Sequence, residues 1–221
     1  MSSITHVFFD LDGTLTDPKA GITGSFVYAL DKLGRTDLSR TDLDWCIGPP
    51  LRDSFARLLE SSEPAVLEEA VFYYRERYSH TGLFENYVYP QIEETLITLH
   101  NKFRLLVATS KPTVYAIQIL ERFNLLKYFE TVYGCELDGR NSHKGELIGL
   151  ILAKEQLQPE QAFMIGDREY DILGAKGNRV LAGGVTYGYG SEAELKSAGA
   201  DYIFHNPYQI PEVLLNYQSG S

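Results

Sequence analysis

The chain has 221 residues, 44% of them hydrophobic and 23% charged, with a formal charge of -10 at pH 7. That length buries one full core with room for a smaller appendage, and the composition excludes a disordered chain. The acidic balance excludes a protein that grips a nucleic acid polymer by its phosphates, which takes a basic stripe.

The N-terminus lacks a basic segment and its apolar stretch is interrupted at Asp10, so neither a signal peptide nor a membrane span is expected. Val7-Phe8-Phe9, bounded by the Gly13-Thr14 turn signal, reads as a short buried parallel strand. Its carboxyl end carries Asp10-Leu11-Asp12-Gly13-Thr14, and open α/β sheets bind ligands at that end. Two carboxylates two residues apart crowd one small volume, which is unfavourable unless a cation or a shared proton relieves it. Read alone, the same residues also make an acidic turn.

Over 18–84 the pattern is helical, with runs at 22–33, 51–59 and 64–78 and no convincing strand. The breaks are 34–37, Gly48-Pro49-Pro50 and Ser61-Ser62. The expected organisation is an α/β core of 1–17 and 85–221 with an all-helical cap of 18–84. Connecting segments near 14–18 and 84–90 form a hinge that lets the cap close over the strand ends. Gly48-Pro49-Pro50-Leu51-Arg52 is a stiff turn entering a helix; Arg52 either reaches a substrate anion or is solvated. Tyr73, Tyr74, Tyr78, Phe84, Tyr87 and Tyr89 read as core at helical spacing, with stacking on a nucleobase as the alternative. Cys46 and Cys135 fit no metal-ligand spacing, so reduced thiols in a cytoplasmic protein are expected.

From 91 onward the chain takes the rhythm of βα units. Helices are expected at 92–102, 112–124, 144–156, 170–176, 192–198 and 208–217, and strands at 104–108, 131–135, 162–165, 180–185 and 201–204. Ser219-Gly220-Ser221 reads as a loose tail. Such alternation gives a Rossmann-like, doubly wound parallel sheet. Thr109 and Ser110 fall where a strand hands over to a helix, a place that suits either a bound anion or a helix cap. Lys144, at the start of another helix, would supply a positive charge. Asp167 follows a buried-type strand and Asp171 lies one turn on, where like charges repel. A divalent cation shared with Asp10 removes that repulsion, and hard oxygen donors suit Mg²⁺. Helix capping accounts for Asp167 and Asp171 singly, but not for their recurrence with Asp10 and Asp12.

Asp10-Leu11-Asp12-Gly13-Thr14, Thr109, Lys144 and Gly166-Asp167 through Asp171 resemble the four motifs of the haloacid-dehalogenase-like hydrolase superfamily, in order and over essentially the whole chain. The helical insertion resembles the C1 cap of its phosphoglycolate-phosphatase-like branch. The resemblance implies that Asp10 attacks phosphorus to form an aspartyl-phosphate, while Asp12 protonates the leaving oxygen and then activates water. It implies Thr109, Ser110 and Lys144 on the phosphoryl oxygens, and Mg²⁺ held by Asp10, Asp12, Asp167 and Asp171. Gly48, Pro49 and Arg52 resemble the substrate-facing cap loop.

Lys144-Gly145-Glu146 departs from the Lys-Pro pair usual in phosphoglycolate phosphatases. The 166–171 segment and Gly188-Tyr189-Gly190-Ser191 look closer to bacterial 5'-nucleotidase-like members. A nucleoside monophosphate is therefore the expected substrate, with phosphoglycolate, a sugar phosphate or a phosphomutase reaction as alternatives, and a regulatory protein on an enzyme fold as a further one. Neither a nucleic acid polymer nor a membrane is an expected partner, and the expected state is monomer or homodimer. Asn178 stands where relatives more often have glycine, and asparagine tolerates left-handed backbone.

Overall fold

The computed structural model describes residues 4–36 and 41–219. Strand β1 (His6–Phe9) is buried at every position, as the apolar run requires of a strand covered on both faces. It is followed by a two-residue strand β2 (Thr16–Asp17) and the helices α1 (Lys19–Lys32), α2 (Leu51–Leu59) and α3 (Pro64–Tyr78), then by β3 (Tyr87–Val88). Helices and strands then alternate: α4 (Ile92–His100), β4 (Arg104–Pro112), α5 (Thr113–Arg122), β5 (Thr131–Cys135), α6 (Lys144–Lys154) and β6 (Ala162–Gly166). The chain ends with α7 (Glu169–Gly177), β7 (Leu181–Val185), α8 (Glu192–Ser197), β8 (Tyr202–Phe204) and α9 (Gln209–Ser219). The tail residues Gly220 and Ser221, and part of the 34–37 break, lie outside the described residues.

Six strands form one parallel sheet in the order β5-β4-β1-β6-β7-β8. The chain fills one side of β1 with β4 and β5 and then crosses to the other with β6, β7 and β8, so the strand order reverses at β1, and a crevice opens at the carboxyl ends of β4, β1 and β6. Phe9 is level with Val107 on one side and Ile165 on the other, which brings Asp10 and the ends of both neighbours together. Period-two alternation splits the core. Val7, Phe9, Val107 and Ile165 face one buried cluster, while Phe8, Leu106, Ala108 and Met164 face a second with Leu147, Ile148 and Ile151 of α6.

The inserted helices close on an aromatic knot in which Phe26 meets Phe55 at 4.8 Å and Tyr74 at 5.0 Å between ring centroids. Each such ring contributes about 1.5–3 kcal/mol by leaving water. The two connections to the sheet are not plain loops: β2 and β3 pair antiparallel, Thr16 against Val88 and Asp17 against Tyr87. Tyr187 donates to the Thr14 carbonyl at 3.1 Å, Tyr189 donates to Asp17, and Tyr89 packs on Tyr187 at 5.1 Å, so the ribbon is braced by the chain after β7.

Two local expectations change. Strand β4 runs on to Pro112, with a register shift against β5 between Ala108 and Pro112. The proline has no N–H to lose there and sits at the end of a strand, where it is tolerated. Asn178 has φ -98°, and the left-handed residue is its neighbour Arg179 at φ 60°. The asparagine is used for its amide, which donates to the carbonyls of Gly145 and Gly174 at 2.8 Å each and ties α6 to α7.

Candidate active site

Asp10 follows β1 and its N–H donates to the Ile165 carbonyl at 2.9 Å, so sheet pairing fixes where the side chain starts. The next residues turn back sharply, with the N–H groups of Leu15 and Thr16 both on the Leu11 carbonyl at 2.9 and 3.0 Å. Gly13 takes φ 82°, and a Cβ there would stand 2.1 Å from Asp167 Oδ2. Glycine is thus what allows the two acidic strand ends to approach. Gly188 and Gly190 serve the same approach from the far side, because added Cβ atoms would meet the Gly13 carbonyl at 2.2 Å and the Asp167 carbonyl at 1.9 Å.

Asp167 is fully buried and accepts the Tyr189 N–H at 2.8 Å and the Thr14 hydroxyl at 3.5 Å. Asp171, in the first turn of α7, accepts the Arg168 N–H at 3.1 Å. Asp10, Asp167 and Asp171 each offer an oxygen, and the three atoms lie within 4.8 Å of one another. Lys144 Nζ reaches Asp10 Oδ2 at 2.9 Å, the Ala108 carbonyl at 2.9 Å and Asp171. Burial opposes its charge, yet Asp10 and Asp171 outweigh that and hold the ammonium above its ordinary value.

One lysine cannot balance three buried carboxylates. Burial drives Asp167 well above the ordinary carboxylate range, with Asp171 and Asp10 pushing the same way. Asp171 is lifted to about 6 by burial, against the pull of Lys144. An all-oxygen set with no thiolate or imidazole in it suits a hard divalent cation, and the donor chemistry fits Mg²⁺.

Asp12 stands outside that triad. Its Oδ2 pairs with Lys111 Nζ at 2.8 Å, while its Oδ1 is buried without a hydrogen-bond partner. Burial raises its carboxyl above the ordinary range, and Lys111 works against that rise. Of the four carboxylates expected as metal ligands, three converge and the side chain of the fourth is engaged by a lysine. Thr109 is buried in the extended β4 rather than at a helix start, and its hydroxyl accepts the Lys111 N–H at 3.3 Å.

A cleft of about 610 Å³, counted out to its open mouth, lies over these groups. Asp10, Asp12, Thr109, Ser110 and Lys111 line it from the sheet, and Gly48, Pro49, Phe26, Tyr74 and Tyr78 from the helical insertion. Arg52 falls in a neighbouring cleft with Asp53, Gly139 and His143, and is paired with Glu68. Gly48 and Pro49 therefore meet the catalytic cleft, and Arg52 does not.

Lys111 carries no motif that would mark it in the sequence. Its Nζ bonds Asp12 and the Tyr78 hydroxyl and lies 4.6 Å from the Tyr78 ring centre. The one signal in the sequence is a lysine directly before Pro112; that the chain is still paired in the sheet at this proline shows only in the fold. Tyr74 and Tyr78, read first as core, are buried and also roof the cleft, stacked at 5.3 Å.

The profile of the haloacid dehalogenase-like hydrolases matches residues 7–185. The chain belongs to the haloacid dehalogenase-like hydrolase family. This hydrolase is 47% identical over 193 residues, 87% of each chain, to a 5'-nucleotidase of Pseudomonas aeruginosa. It is also similar to the tyrosine-protein kinase PtkA of Mycobacterium tuberculosis, at 34% over 90% of this chain and 68% of that protein. A phosphoglycolate phosphatase of Vibrio cholerae shares 29% over 97% of this chain and 99% of its own. Among solved structures, a predicted phosphatase from Clostridium acetobutylicum superposes with a TM-score of 0.94 at 42% identity, covering 97% of this chain and all of that one. The hydrolase is thus a phosphatase of this family and a homologue of bacterial 5'-nucleotidases. No helix among the described residues is long and apolar enough to cross a membrane.

Proposed function

We propose that this hydrolase is a Mg²⁺-dependent phosphomonoesterase of nucleoside 5'-monophosphates that works through an aspartyl-phosphate on Asp10. The observation that carries the reading is the convergence of Asp10, Asp167 and Asp171 beside a separate carboxylate, Asp12, that pairs with Lys111. Asp10, Asp167 and Asp171 would hold the cation, which when bound offsets the phosphoryl charge that otherwise repels an attacking carboxylate.

Asp10 attacks phosphorus, and the leaving oxygen takes a proton from Asp12, whose carboxyl burial favours in the neutral form. The same carboxylate then accepts a proton from water as that water displaces Asp10, so one hard displacement becomes two easier ones. Thr109 and Ser110 border the cleft where phosphoryl oxygens would sit. Lys144 orients Asp10 through the 2.9 Å contact and adds positive charge beside it. The rings of Phe26, Tyr74 and Tyr78 give the leaving group an apolar, stackable wall, which suits a nucleoside.

A second reading has one observation in its favour: Arg75 also lines the cleft, and a cation there would suit the carboxylate of phosphoglycolate. Phosphate release measured across nucleoside monophosphates, sugar phosphates and phosphoglycolate, with and without Mg²⁺, separates the two. Nucleotides are expected to lead, with activity lost on chelation. A tenfold higher kcat/KM on phosphoglycolate, about 1.4 kcal/mol, would overturn the nucleotide assignment.

A further inference from the structure

The segment that supplies Asp167 and Asp171 holds one cation, Arg168, to which the chemistry above gives no task. Its backbone N–H donates to Asp171 Oδ2 at 3.1 Å, its Nε to Glu194 Oε1 at 2.9 Å, and its Nη1 to the Ile47 carbonyl at 2.6 Å. Glu194 Oε1 also accepts the Glu169 N–H at 2.9 Å. Ile47 belongs to the helical insertion and directly precedes Gly48 and Pro49, which line the catalytic cleft. Gly48 takes φ 107°, and a Cβ there would stand 2.8 Å from Arg168 Cγ, so this turn is shaped to seat on the arginine stem. The Arg168 and Glu194 side chains are 11% and 23% exposed, which shelters the contact from solvent screening.

We propose that Arg168 is a positioning residue that couples docking of the 47–49 turn to the loop carrying Asp167 and Asp171. The inference rests on the cation reading given above for those carboxylates. Arg168 lies outside the cleft lining and acts through its neighbours. Its planar fork fixes two acceptors at once, one on α8 and one on the insertion, while its backbone orients Asp171. Seating the turn therefore organises the carboxylates, and by linkage a cation on them favours the seated turn.

Mg²⁺ alone is titrated into the purified full chain. Cation affinity is read by calorimetry, deuterium uptake over 44–49 and 168–171 by exchange, and emission from Trp45, the only tryptophan, as a local signal. In the wild type Mg²⁺ is expected to slow uptake in both segments and shift Trp45 emission. In Arg168→Ala the response at 44–49 is lost and cation affinity falls at least about threefold. Arg168→Lys recovers little of either, because an ammonium has no fork, and its unchanged melting temperature would show that the loss is not unfolding. Gly48→Ala unseats the turn from the other side and weakens cation binding in the wild type but adds little in Arg168→Ala.

A wild-type response at 44–49 that persists in Arg168→Ala, or additive effects of the two substitutions, would overturn the coupling. Absence of Mg²⁺ binding in the wild type would overturn the cation reading instead. The coupling would then stand or fall on cation-free exchange, where Gly48→Ala must speed uptake at 168–171.

Discussion

At the scale of single residues the site separates two jobs that adjacent carboxylates could confuse. Asp10 lies with Asp167, Asp171 and Lys144, whereas Asp12 lies with Lys111 and keeps one oxygen unpartnered. Asp10→Asn keeps the shape and removes the proposed nucleophile, so turnover is expected to fall by roughly 10⁴-fold or more with the fold retained. Phosphate release and circular dichroism on one preparation check this, and appreciable residual activity would refute the nucleophile. Lys111 counteracts the burial that raises the Asp12 carboxyl. Lys111→Met should therefore raise that group further and move the alkaline limb of the kcat/KM profile to higher pH, because Asp12 then keeps the proton that the leaving oxygen needs up to a higher pH. A profile that stays in place would break the proposed link between the two side chains.

At the scale of elements, the approach of loops decides the site, and glycines mark where it is tightest. Gly190→Ala would drive a methyl group into the Asp167 carbonyl, against backbone that cannot swing away. A loss of about 1–3 kcal/mol and weaker Mg²⁺ binding are expected from thermal melts and calorimetry. Gly177, at the end of α7, has nothing within 4 Å of an added Cβ and no left-handed backbone. Gly177→Ala should instead be neutral or stabilise by about 0.5–1 kcal/mol. Equal penalties at the two positions would show that helix propensity, not close approach, sets the cost. Much of the element pattern was legible beforehand: α2 and α3 fall at their expected bounds, and every expected strand of the sheet is present. The β2–β3 ribbon was not legible, because two-residue strands have no periodicity and owe their pairing to the chain after β7.

For the whole molecule, the buried acids make stability depend on pH and cation together. Asp167, Asp171 and Asp12 all have raised values in the folded protein, Asp171 to about 6. The native state thus binds protons that the unfolded chain has released above about pH 4. This contribution is fully present below that point and is lost as pH rises through the folded values. Cation-free protein should therefore lose stability between about pH 4 and 7, and the gain in melting temperature from Mg²⁺ should grow with pH. A Mg²⁺ increment of the same size at pH 5 and pH 7.5 would contradict the buried carboxylate site.

The parallel α/β sheet, the helical insertion after its first strand and the acidic residues at strand ends are all readable from the order of residues along the chain. These follow from local periodicity and from the rule that strand ends carry chemistry, both of which act over a few residues. It takes the folded molecule to show that Asp12 turns to Lys111, that Tyr74 and Tyr78 roof the cleft, that Arg52 faces elsewhere, and that Arg168 reaches across to Ile47. The last three depend on which surfaces meet when the insertion settles on the sheet, and the first on β4 lying beside β1. That meeting is fixed by the packing of residues far apart in the chain, and spacing along the sequence carries no record of it.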